Sequence, residues 1–206
     1  MKDFLSDASI DSGKVRIGVV IYSTYTEVQF HLNRYKSKHD ILDAIDNIRY
    51  MIGSTHTYGG LYTARTQMFT AENGDRAGVP NVIFLITDGV SNINALQTIP
   101  EAEAIRAENI HIYAIGIGLT NTSELNQIAS FPPTANSFTV DDFNELQGLK
   151  HKIFESYCPG TYFSRNITPV IVLVAVVVVS FEWSEDLEIV VFSVVNVCCF
   201  ASPLYP

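Results

Sequence analysis

Asp88 is the residue of this 206-residue chain whose type and position are best suited to chemistry. It follows an apolar run, residues 82–87, and precedes Gly89. A carboxylate at the end of a buried strand can bind Mg²⁺ or act as a general base, whereas the plainer interpretation is a turn aspartate. Ser91 either supports the Asp88 loop or is an ordinary loop serine. Thr55 can cap the helix that follows it, and His56 is a lone loop histidine for which we expect no ligand role.

Enzyme chemistry is not expected from the remaining residues. Asp88 has no companion carboxylate or histidine in a recognisable pattern, and the chain contains neither a Gly-Lys-Ser/Thr phosphate loop nor a Gly-x-Ser-x-Gly elbow. Its three cysteines, Cys158, Cys198 and Cys199, form no Cys-x-x-Cys pair, so a zinc ribbon is unsupported. The net charge of −9 argues against nucleic-acid binding, which needs a basic surface.

The elements that position Asp88 alternate between strands and helices. Strands are predicted at residues 15–22, 27–30, 82–87, 110–118 and 136–140. Helices are predicted from the cap Ser37 through Ile52, from the end of a polar loop at residues 53–60 to about Glu72, and at residues 100–108, 122–130 and 141–156. This alternation predicts an α/β fold, an open, mostly parallel sheet with helices on both faces. Sites in such sheets lie outside the carboxyl ends of the strands, which here carry Ser23, Asp88 and Gly118.

The ordered set of motifs resembles a von Willebrand factor type A (VWA) domain. The chain contains VRIGVVIYS at residues 15–23, STHT at 54–57, VIFLITDG at 82–89 and IYAIGIG at 112–118, before a closing helix that ends in Cys158-Pro159. The sequence of these motifs is similar to that of the A domains of matrilins and of the collagens that carry such domains. The resemblance implies the Rossmann-like fold of that family.

The resemblance also implies a metal site. The family's metal-ion-dependent adhesion site takes three ligands from an Asp-x-Ser-x-Ser motif, one Thr from a second loop and one Asp from a third. Thr55 and Asp88 match the last two. The Asp-x-Ser-x-Ser motif is not found near the N-terminus, so the implied site is degenerate and binds Mg²⁺ or Mn²⁺ weakly.

The same comparison predicts the domain organisation. Residues 1–158 are expected to form a VWA-like domain that is incomplete at its N-terminus and lacks the family's first strand, which would lie in the middle of the sheet. Residues 159–206 form an apolar extension. Residues 169–181 suggest the hypothesis of a replacement central strand, because they read as a fully buried parallel strand. An extension unrelated to the domain is the alternative.

The function expected from the resemblance is a protein-binding or adhesion module of an extracellular-matrix protein, with matrix or cell-surface proteins as partners. The alternative is an intracellular VWA scaffold domain without metal-dependent binding. The N-terminal residues do not read as a signal peptide. A membrane span is poorly supported, because the apolar run 170–181 is shorter than the ~20 residues that a spanning helix needs.

Overall fold

The fold was obtained as a computed structural model that describes residues 10–49, 51–142, 145 and 148–149, together with the backbone of 171–178. The strands are β1 (Val15–Tyr22), β2 (Thr26–Phe30), β3 (Asn81–Thr87), β4 (His111–Ile117), β5 (Ser137–Val140) and β6 (Ile171–Val178). The helices are α1 (Lys38–Asp46), α2 (Thr57–Thr63), which continues as a π-helical turn (Ala64–Met68), α3 (Ala95–Ala107), α4 (Ser123–Ile128) and α5 (Pro133–Asn136).

The six described strands form one sheet in the order β2-β1-β6-β3-β4-β5. β1 and β2 make an antiparallel hairpin. All the other neighbouring pairs are parallel. The predicted α/β class with an open, mostly parallel sheet is therefore confirmed. The carboxyl ends of β1, β6, β3 and β4 lie along one side, which we call the carboxyl edge.

The core consists of apolar residues of the strands, which are buried on both faces of the sheet. On one face, Val20, Ile83 and Ile112 belong to a buried cluster completed by α2, the π-helical turn, α3 and α4. On the neighbouring strands, Phe84 and Tyr113 stack with their ring centroids 4.9 Å apart. The continuous apolar runs that predicted β1, β3 and β4 reflect this two-sided burial.

Several predicted helix boundaries are wrong, among them the start of α2, which begins at Thr57 and not after Gly60. α1 begins after Ser37, whose hydroxyl accepts the backbone N–H of Asp40, but it ends at Asp46 rather than near Ile52. The chain leaves the helix there to form the loop that carries Thr55. α3 begins at Ala95 instead of Pro100, which lies inside the helix. The apolar spacing up to Ile52 predicted too late an end for α1. The preference of proline for the first turn of a helix predicted too late a start for α3.

Several other predictions fall outside the described residues. Residues 1–9, most of the expected closing helix 141–156, and Cys158 are among them. The division of the chain at residue 158 stays a prediction.

Candidate functional site

Thr55 and Asp88 come together at the carboxyl edge. Thr55 is buried in the loop before α2, and Asp88 follows the last residue of β3. A Cβ atom placed on Gly89 would lie only 2.9 Å from the Thr55 hydroxyl oxygen. The glycine after Asp88 therefore allows the Thr55 hydroxyl to approach the Asp88 turn.

Reciprocal hydrogen bonds hold the Thr55 loop against the Asp88 loop. The Thr55 N–H donates to Asn92 Oδ1 at 2.9 Å, and the Asn92 N–H donates to the Thr55 carbonyl at 3.0 Å. These two bonds hold the Thr55 backbone next to the loop that follows Asp88, although the two loops are far apart in sequence.

The loop after β1 is tied into the same edge. The His56 N–H donates to the Ser23 carbonyl at 3.0 Å, and the Ser54 N–H donates to Thr24 Oγ1 at 3.1 Å. Gly53 permits this packing, since a Cβ there would lie 2.4 Å from Ser23 Oγ. Ser23 Oγ is itself buried and has no hydrogen-bond partner among the described residues.

Glu124 brings a second carboxylate to this edge. Its Oε2 accepts the Ser91 N–H at 2.8 Å, which joins α4 to the loop that carries Asp88. The Ser91 hydroxyl accepts a hydrogen bond from Thr98 Oγ1 at 3.1 Å, so Ser91 supports the loop. Burial raises the pKa of Tyr22 far above its usual range, and the charges of Asp88 and Glu124 raise it further. Tyr22 is therefore neutral, and the negative charge at the edge comes from the two carboxylates.

The donor set suits a hard cation but is small. Thr55 and Asp88 provide a hydroxyl and a carboxylate, and Mg²⁺ prefers oxygen ligands in an octahedral arrangement. No group of three or more His, Cys, Asp or Glu side chains that could hold a metal occurs among the described residues. Two oxygens leave most positions of an octahedron to water or to a ligand, so the residues fit a weak, open site.

Sequence reasoning reached some of these residues and missed others. The prediction that Thr55 and Asp88 share one edge agrees with their placement, while their role as metal ligands stays a prediction. Asn92 and Glu124 were missed, because nothing local in the sequence links them to Thr55 or Ser91. His56 lies with its Nε2 atom 3.3 Å from Asn94 Nδ2, in an exposed contact.

An open α/β sheet whose carboxyl-edge loops are joined by hydrogen bonds into one surface is typical of α/β domains that bind ligands at this edge. Within that class, the chain belongs to the von Willebrand factor type A domain family, whose sequence profile matches residues 1–152. The predicted resemblance to the A domains of matrix collagens is confirmed by the relatives.

The chain is similar to several extracellular-matrix proteins. It is 32% identical to the human collagen alpha-6(VI) chain over 162 residues, which cover 77% of this chain and 7% of the collagen. It is 33% identical to mouse vitrin over 149 residues, 72% of this chain and 22% of vitrin. The chain thus spans less than a quarter of each of these two relatives.

Solved structures show the same likeness. Proximal thread matrix protein 1 from the mussel byssus is 31% identical, with a TM-score of 0.69, and the match covers 77% of this chain and 41% of that protein. Another structure of that protein, with a TM-score of 0.63 and 32% identity over 69% of this chain and 36% of that one, has a zinc-occupied metal-ion-dependent adhesion site. Within the described residues of the present chain, no helix is long and apolar enough to cross a membrane.

Proposed function

We propose that this chain is a protein-binding module of an extracellular-matrix protein. The observation that carries the proposal is the Thr55 hydroxyl held against the Asp88-Gly89 turn at the carboxyl edge. The similarity to collagens, vitrin and a byssus matrix protein supports an extracellular location. Matrix or cell-surface proteins are the expected partners, and binding without catalysis is the expected activity.

The metal part of the proposal is a degenerate adhesion site. Thr55 and Asp88 would hold Mg²⁺ or Mn²⁺, and the cation would present open positions to an oxygen ligand of the partner. The mussel protein with a zinc-occupied site supports cation binding at this edge of the fold. With two protein oxygens in the site, we expect a dissociation constant of about 1 mM.

Exposed apolar side chains around the carboxyl edge support a protein ligand. Most of the large exposed hydrophobic residues that the structure describes lie on its loops or at the start of α3: Tyr25, Ile52, Val90 and Leu96. Single exposed hydrophobic residues are common, but a group that surrounds one edge is typical of an interaction surface. We call these four residues the apolar rim.

Removing the Asp88 carboxylate is expected to abolish cation binding without unfolding the protein. In an Mn²⁺ titration followed by electron paramagnetic resonance, Asp88→Ala should lose the bound-metal signal. The physical reason is that the hydroxyl of Thr55 alone cannot compete with water for a divalent ion.

Glu72→Ala is the matched control for Asp88→Ala. It removes the same charge from an exposed turn that precedes β3, at the opposite side of the sheet. This variant should bind Mn²⁺ like the parent chain. Equal binding by all three proteins would contradict the proposed site.

The apolar rim gives a second, metal-independent test. Leu96 is 94% exposed, so Leu96→Ser should leave the thermal midpoint unchanged while lowering the affinity for a matrix protein by about tenfold. Surface plasmon resonance on a panel of immobilised purified collagens measures this effect. Phe131→Ser, at a similarly exposed hydrophobic position outside the rim, is the control. Equal losses in both variants would argue against the rim as the binding surface.

A further inference from the structure

The middle of the sheet is formed by a strand from far along the chain. β6 pairs in parallel with β1, from Val15 opposite Ile171 to Tyr22 opposite Val178. On its other side it pairs in parallel with β3, from Asn81 opposite Val172 to Ile86 opposite Val177. β6 therefore joins the β1–β2 hairpin to the rest of the sheet.

This strand lies beyond the region that defines the family. The VWA profile ends its match at residue 152, whereas β6 begins at Ile171. The family relationship accounts for the strands on either side of β6 but not for β6 itself. Its place in the sheet is therefore argued from the pairing of its backbone with β1 and β3.

The groove between β1 and β3 needs a strand of this kind. Neighbouring strands lie about 4.8 Å apart, so β1 and β3 stand roughly 10 Å apart with β6 between them. Almost all described residues of both strands are buried, and buried backbone N–H and C=O groups without partners are costly. The sequence of β6, IVLVAVVV, is apolar throughout and mostly β-branched, as is typical of a strand covered on both faces.

We propose that Ile171–Val178 is an integral strand of the domain, bound in the groove between β1 and β3 of the same chain, and that folding of the sheet depends on it. The inference stands apart from the proposed metal site. It also has a consequence for the carboxyl edge, because Ser23 follows β1 and Asp88 follows β3, and β6 sets the spacing of these two strands.

Hydrogen exchange on the intact 206-residue chain tests the proposal directly. Backbone amides of residues 172–178 should be protected to the same degree as those of β1 and β3, because all three then open together in global unfolding. Light scattering on the same sample should show a monomer. Exchange of 172–178 within seconds, or protection found only in a dimer, would overturn the proposal.

A proline substitution gives an independent test with a matched control. Val174→Pro removes a backbone N–H from the middle of β6, and we expect the folding equilibrium constant to fall by about a hundredfold or the chain to fail to fold. Val174→Thr is the matched control, because it keeps the backbone N–H and a β-branched side chain at the same position, and it should cost far less stability than Val174→Pro. A Val174→Pro variant as stable as the parent chain, or a Val174→Thr variant as unstable as Val174→Pro, would contradict a specific role for the β6 backbone.

Discussion

Replacing Arg65 with methionine is expected to lower the free energy of unfolding by about 3 kcal/mol. Arg65 Nε donates to Glu101 Oε1 at 2.6 Å and Nη2 donates to Oε2 at 3.3 Å, so the guanidinium holds both carboxylate oxygens. The Glu101 side chain is only 7% exposed. Without Arg65, this carboxylate is left buried and unpaired, which is the costly outcome for a buried ion pair. Urea unfolding followed by circular dichroism measures the change.

The second partner of Arg65 provides the control. Arg65 Nη1 donates to Glu108 Oε1 at 2.9 Å, but the Glu108 side chain is 50% exposed. Water screens this pair, so Glu108→Gln should cost less than about 1 kcal/mol. The double variant Arg65→Met, Glu101→Leu should recover most of the lost stability, because it removes both charges together. A double variant as unstable as Arg65→Met alone would show that the loss comes from packing and not from an unpaired charge.

The ion pair matters to the site through the helices it joins. Arg65 lies in the π-helical turn that continues α2, and α2 begins two residues after Thr55. Glu101 lies on α3, which follows the loop carrying Asp88. The bridge therefore links the two helices whose starts lie next to the candidate ligands.

Shortening Ile83 to alanine is expected to cost about 3 kcal/mol, because it leaves a cavity in the buried cluster. Ile83 is 0% exposed and lies on β3, opposite Ile112 of β4 on one side and Val174 of β6 on the other. A shift of the urea midpoint with an unchanged slope would measure this loss.

Ile52→Ala is the matched control, since it removes the same atoms from a side chain that is 82% exposed. It should change the free energy of unfolding by less than about 0.5 kcal/mol. Similar losses in the two variants would mean that Ile83 is less well packed than its burial indicates. The same Ile52 variant also probes the apolar rim, because we expect its stability to be unchanged.

Much of the fold could be predicted because its signals are local. The strand at residues 15–22 has the same bounds in the structure. β3 begins one residue earlier than predicted, and β4 is one residue shorter at each end. Long apolar runs bounded by turns report their burial directly. The helix ends were harder, because Ile52 continues the apolar spacing of α1 yet belongs to an exposed loop. The contacts of that loop with the rest of the fold, and not the local apolar spacing, determine where α1 ends.

Some residues of the candidate site could likewise be predicted from the sequence, and others could not. Asp88 could be identified from its place after a strand, and the resemblance added Thr55. Asn92 and Glu124 could not be found, since each bonds to a backbone N–H 37 and 33 residues away, respectively. Such partners are chosen by the packing of loops on the finished sheet. The composition of residues 171–178 indicates a buried strand, and it was the resemblance, not composition, that suggested a place for it in the middle of the sheet.

The place of β6 in the sheet has a consequence for how this protein is made. The pair Val15 and Ile171 joins residues that are 171 − 15 = 156 positions apart. At about 5–20 residues per second, roughly 8–30 s of translation separate the synthesis of these two partners. During that interval the hydrogen-bonding side of β1 that β6 will cover, and that of β3 once it has been synthesised, are open to other chains on the same polysome. Nascent copies of this protein therefore need to be kept apart until β6 has been synthesised.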